Sequence, residues 1–222
     1  MAGETLMDHL PGEFIAHLKY VQAHIGHEAN AYRAARLLEI QMRVGAENYV
    51  LTELDPPVMH LQPWYYGWNN DVIRHELAHI ILTWSNVESH LIAEYGSREA
   101  AQPVIEAFCH QALAFLQITQ PMVDQAVKKH GVSARAVRHL MRLSGASVER
   151  ALHRLIQDEP DYARAGFLTS GTHIAQVSHC NLPLPFWLFE RVPEPTLLFP
   201  REANATFSTM PGGLRLIGVC WG

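Results

Sequence analysis

Apolar and polar positions follow three different rhythms along this 222-residue chain. Near the start, Phe14, Ile15, Leu18, Val21 and Ile25 recur at helical spacing, continued by Ala35, Leu37, Leu38, Ile40 and Met42. The pattern predicts helix from Glu13 to about Gly45, with Gly26 able to divide it. Tyr49–Leu54 and Val58–Leu61 flank Asp55-Pro56-Pro57 and predict two short strands joined by a turn. Between Asn70 and Tyr95 there is no Pro or Gly, and Ile73, Leu77, Ile80, Ile81 and Trp84 form an apolar stripe. That stretch predicts one long helix, with Asn70 or Asp71 as its N-cap. A further helix is expected beyond Gly96, folding back antiparallel and carrying Glu106 and His110.

The rhythm shortens after Pro121. Val137, Leu140, Met141 and Leu143, then Val148, Leu152, Leu155 and Ile156, predict short helices begun by Ser133 and Ser147 after glycine-containing turns. In the last third, prolines separate strand-like runs at His173–Val177, Phe186–Phe189, Thr196–Phe199 and Leu214–Cys220. The expected organisation is α+β. A mostly helical core with a small antiparallel sheet occupies 1–120, a helix-turn-helix-like bundle 121–160, and a short β-rich module 161–222.

Composition places limits on function. At 48% hydrophobic and 18% charged residues, the chain has the make-up of a folded domain. Three widely spaced cysteines do not suit a secreted disulfide scaffold. No signal peptide and no membrane span are expected, which points to the cytoplasm. Charge is uneven. Residues 121–157 hold seven Lys and Arg against two acids, a local net of +5 in a chain whose total is −5. Such a face can hold DNA or an acidic partner, although solvated basic faces are common.

The chemistry concentrates at His75-Glu76-Leu77-Ala78-His79. Residues four apart share one helix face, so both imidazoles can reach one metal ion. Glu76 lies about 100° around the helix, unsuited to be a third ligand but able to reach a water on that metal. Zinc lowers the pKa of bound water towards roughly 7, and a carboxylate beside it can act as general base. A hydrolytic zinc site needs a third protein ligand and an open position. Glu88, His90, Glu94, Glu99, Glu106 and His110 are the downstream candidates. On a straight helix Glu88 and His90 lie roughly 14–17 Å beyond His79, out of reach of one ion. The remaining candidates stay open on spacing alone.

The run Ile73–Leu82, followed by Glu106-Ala107-Phe108-Cys109-His110, resembles the ImmA/IrrE family of bacterial metallopeptidases. The resemblance covers about residues 30–157, with its specific part on the zinc helix, and extends through Gln120-Pro121, where the family has a helix-ending proline. It implies a zincin-like core, with Glu106 as third ligand and His110 and then Glu99 as alternatives. This chain departs from the family after the glutamate, where Asn and Phe are usual and it has Cys109, His110 and Ala112. The implied cofactor is Zn²⁺, or Mn²⁺ in the same site. The implied activity is one specific cut in a protein partner, a helix-turn-helix repressor, that switches on stress-response or mobile-element genes. The alternative is a DNA- or partner-binding regulator whose metal site is structural or vestigial.

Other clusters carry weaker signals. In Trp64-Tyr65-Tyr66-Gly67-Trp68, packing beneath the zinc helix is the plain expectation, and Tyr65 or Tyr66 could instead face a developing oxyanion, as could His110. His24-Ile25-Gly26-His27-Glu28 lacks the four-residue pairing with a base. His179-Cys180 with Cys220 lacks a fourth ligand at a recognisable spacing.

Overall fold

The computed structural model describes residues 6–199 and 204–222 of the chain, which divides into two compact units, Met1–Gln120 and Pro121–Gly222. Its class is α+β. The helices of 121–156 and the strands after them, read from sequence as separate segments at 121–160 and 161–222, belong to one unit.

The first unit runs α1 (Leu6–His24), α2 (Ala31–Leu37), β1 (Gln41–Val44), β2 (Tyr49–Leu51), β3 (Val58–Leu61), α3 (Asp71–Trp84), α4 (Val87–Tyr95) and α5 (Arg98–Gln117). The helical stretch expected over Glu13–Gly45 divides at Gly26, as that glycine allowed, and its last residues form a strand instead of helix. Gly26 and His27 both take positive φ, and Asn30 caps α2 by accepting from the Arg33 amide. The sheet order is β1-β3-β2. β2 and β3 pair antiparallel as expected, while β1 pairs parallel to β3, so the sheet is mixed rather than antiparallel.

α3 is the spine of this unit. Ile73, Leu77, Ile80, Ile81 and Leu82 are fully or almost fully buried, each contributing about 1.5–3 kcal/mol by leaving water. α5 packs along α3, and α1 and α2 pack against it too. Ser85 and Asn86 end α3, overturning the expectation of one helix to Tyr95. The Ser85 hydroxyl donates to the Leu82 carbonyl at 2.7 Å, and Asn86 adopts φ 62°. Short polar side chains that bond their own backbone favour such breaks. Glu88 consequently lies on α4, where its buried carboxylate accepts from the Thr83 hydroxyl at 2.5 Å and pairs with Arg98 at 2.6 Å.

The second unit contains α6 (Gln120–His130, continuing from the unit boundary), α7 (Ala134–Ser144), α8 (Val148–Ile156), β4 (Arg164–Ser170), β5 (His173–Cys180), a 3₁₀ turn at Pro195–Leu198, β6 (Ala205–Thr209) and β7 (Leu216–Trp221). Pro121 stands in the first turn of α6 rather than at the end of α5. Ser133 and Ser147 cap α7 and α8 as expected, accepting from the amides of Ala136 and Arg150.

The strands form an antiparallel sheet in the order β5-β4-β7-β6. β4 and β6 were not foreseen, and Phe186–Phe189 and Thr196–Phe199 are not strands. Pro195 instead opens the 3₁₀ turn, because its fixed φ suits a helical start. Phe167 of β4 lies over Gly218 of β7, where an added Cβ would come within 2.1 Å of the ring. That close approach seats Phe167 against Ile174, Phe186 and Val192 in a small second core. Among the described residues no helix is long and apolar enough to cross a membrane.

Candidate metal centre

The centre begins with the capping of α3. The Asn70 side chain accepts from the Ile73 amide at 3.0 Å and donates to the carbonyls of Tyr65 and Trp68. One side chain thus starts the helix and tethers the aromatic segment before it. The next residues hold the helix in place. Arg74 is buried and contacts Asp71 at 2.8 Å and Asn69 at 2.7 Å, and Asn69 in turn accepts from the Ala31 amide of α2.

With α3 fixed, His75 and His79 stand one turn apart with ring centroids 4.8 Å apart and planes at 86°. Their Nε2 atoms approach to 3.2 Å. Glu106, from α5, reaches both: one carboxylate oxygen lies 3.1 Å from His75 Nε2 and the other 3.5 Å from His79 Nε2. Ligands about 2.0–2.1 Å from a tetrahedral zinc ion stand about 3.3–3.4 Å from one another. The three separations bracket that value. These residues therefore fit a divalent metal such as zinc by donor type and by spacing.

The protonation states suit the same use. Burial holds both imidazoles below their ordinary range, only partly opposed by the Glu106 charge, so both keep a lone pair at neutral pH. Burial first, and then the Glu106 charge, push the Glu76 carboxyl up to about 7. A divalent cation beside it would draw that value down. Glu76 makes no hydrogen bond or ion pair with any other described residue, which leaves its carboxylate free to handle a proton.

Two supports were not legible beforehand. Gln102 donates to the Glu106 carboxylate at 2.6 Å from one turn earlier on α5, which aims it. Cys109 Sγ lies 3.3 Å from His79 Nδ1. When Nε2 faces a metal, Nδ1 carries the proton and donates to that sulfur, fixing the tautomer. Burial pushes the Cys109 thiol well above its usual range, so it stays neutral. The four-residue spacing of Gln102 and Glu106 was the available signal for the first; nothing local announced the second.

The other predicted residues are placed as follows. His110 is exposed, with its ring 4.9 Å from His75, and its donor atom joins those of His75 and Glu106 within 4.8 Å. Tyr66 packs edge-on against Tyr32 at 6.0 Å, and Tyr65 lies against Trp64 at 6.2 Å. Trp64 and Trp68 are exposed, so only part of the aromatic segment packs inward. Glu99 lies in the first turn of α5, and no described contact links it to the histidines. Cys180 and Cys220 donate separately to the carbonyls of Pro160 and Ala165, and do not gather with His179 into a second cluster.

No family model matches the chain, and no curated protein matches it. A solved structure of a Mycobacterium tuberculosis transcriptional regulator is similar, with TM-score 0.52 and 13% identity, over 95% of this chain and 76% of that one. At that identity the likeness speaks to the fold alone.

Proposed function

We propose that this chain is a zinc-dependent endopeptidase of the ImmA/IrrE type, with a zincin-like core, that makes one specific cut in a partner protein. The observation that carries the reading is the convergence of His75, His79 and Glu106 at 3.1–3.5 Å, with the unpaired carboxylate of Glu76 next in sequence. A divalent ion held by those three donors supplies a Lewis acid and acidifies water. Zn²⁺ is the expected metal, and Mn²⁺ fits the same nitrogen and oxygen donors.

Glu76 takes a proton from the attacking water and returns it to the departing amine. His75 and His79 remain neutral, held by burial. Gln102 and Cys109 keep Glu106 and His79 aimed while charge develops. His110, exposed beside His75, donates to the oxyanion from the open side. Tyr66 is already engaged by Tyr32, which leaves Tyr65 as the weaker alternative for that role.

The partner is a helix-turn-helix repressor, whose cleavage in the cytoplasm switches on stress-response or mobile-element genes. The test pairs metal content with cleavage. Wild type dialysed against metal-free buffer should retain about one zinc per chain and cut a co-encoded repressor at one bond. Glu76→Gln should retain the metal and lose the cut. Unchanged regulation by Glu76→Gln would instead favour a DNA- or partner-binding regulator with a structural metal site.

A further inference from the structure

Four arginines in this protein face carboxylates. Arg74 meets Asp71, Arg98 meets Glu88, Arg154 meets Asp158, and Arg215 meets Glu149. Three on α7 do not. Arg135, Arg138 and Arg142 follow one another at three- and four-residue spacing, so they share one exposed helix face. None makes an ion pair among the described residues. Their only described polar contacts are Arg138 to the Ser208 hydroxyl at 3.1 Å, and Arg142 to the Arg138 carbonyl and the His139 ring.

The three line a cavity of about 440 Å³ together with His130. Met141 of α7, with Met210 and Pro211 of the β6–β7 turn, supplies its apolar walls, and no acidic side chain among the described residues lines it. Behind the rim, His130 Nε2 lies 3.4 Å from His139 Nδ1, and Arg142 reaches the same nitrogen at 3.5 Å. His139 is buried, and its Nε2 has no hydrogen-bond partner. Positive charge and nitrogen donors are therefore gathered with no acidic group among the described residues lining the cavity.

We infer that this cavity is a binding site for a phosphate-bearing small ligand of nucleotide size. Guanidinium forks match phosphoryl oxygens two at a time, and several forks on one face suit adjacent phosphoryl groups. The volume falls within the range of small-molecule pockets. A DNA duplex is a rod too wide to enter it, and would instead need a projecting basic ridge. The methionine and proline walls give a flat apolar group, such as a base, a surface to lie on. The site is independent of the metal centre and uses none of its residues.

The test uses the full chain at low salt, with inorganic pyrophosphate, ATP and a 20-base-pair duplex as separate titrants in calorimetry. Wild type should bind pyrophosphate or ATP. Arg138→Gln and Arg142→Gln should each weaken that binding at least fivefold, with unchanged circular dichroism because both side chains are exposed. Arg142→Lys should recover part of the loss, since it keeps the charge but not the fork. Tighter binding of ATP than of pyrophosphate assigns the apolar walls to a nucleoside, and equal binding assigns the site to the phosphoryl groups alone. The inference is overturned if neither small anion binds, if the Gln variants bind as well as wild type, or if the duplex binds more tightly than both through the same arginines.

Discussion

Two pairs of histidines in this protein hold their ring nitrogens at nearly the same separation, yet in opposite surroundings. His75 and His79 lie 3.2 Å apart beside the carboxylate of Glu106. His130 and His139 lie 3.4 Å apart beside the guanidinium of Arg142. On the readings proposed above, the same side chains would serve one place for a cation and the other for an anion. What distinguishes them is the third partner and its support. Glu106 is steadied by Gln102, and His79 by Cys109, as a metal with strict distances would require. The exposed arginines of α7 keep their freedom, which suits a ligand whose phosphoryl groups can be met at several angles.

The contrast can be broken most sharply at the first pair. Glu76→Gln should lower repressor cleavage by about 10²–10⁴-fold while metal content stays at wild-type level. Full activity with bound metal would remove Glu76 from the chemistry. Paired and unpaired arginines should then differ in stability. Asp158→Ala removes the carboxylate 2.6 Å from the buried Arg154 guanidinium and should cost about 3–5 kcal/mol in urea denaturation. Arg138→Gln, on the exposed face, should change stability by less than about 0.5 kcal/mol. Similar losses in the two variants would mean that the α7 arginines serve the fold.

A fifth histidine, His153, shows the combined effect of burial and a neighbouring cation. Burial, and then the charge of neighbouring Arg154, push His153 down to about 4 from its ordinary 6.5. Because the folded value is the lower one, the unfolded chain binds the extra proton between those values. Its contribution is fully present above about pH 6.5 and is lost as pH falls from there through 4. The loss should be on the order of 3 kcal/mol, and His153→Phe should flatten that part of the stability profile. An unchanged slope in the variant would assign the acid sensitivity to other groups. The smallest effect concerns support of the metal. Cys109→Ala should weaken zinc affinity by about 10–100-fold in chelator competition, with little change in secondary structure. Unaltered affinity would show that His79 needs no tautomer lock.

Along the chain, legibility followed the range of the interaction. The helix face shared by His75 and His79, the apolar stripe of α3, and the caps at Asn70, Ser133 and Ser147 could all be read from spacing within one or two turns. Glu106 could not be chosen over His110 by spacing, and came from family resemblance. The α3–α4 break escaped because Ser85 and Asn86 look tolerable in a helix until the Ser85 hydroxyl bonds the local backbone and Asn86 turns left-handed. β1 was read as helix because Ile40 and Met42 also fit a helical period. Its pairing with β3 came from a segment beyond the intervening strand.

The sequence by itself determined which residue types could meet a metal, where the amphipathic helices run, and that basic charge concentrates after Pro121. Each of these depends on neighbours a few residues away, and backbone geometry fixes such spacings in advance. The tertiary structure alone decided that Glu106 reaches both histidines, that Cys109 stands behind His79, and that three arginines of α7 share a cavity with Met210. Those contacts join residues 27 to 75 positions apart. They exist because packed cores bring distant segments to within a few ångströms, a condition that periodicity along one segment does not encode.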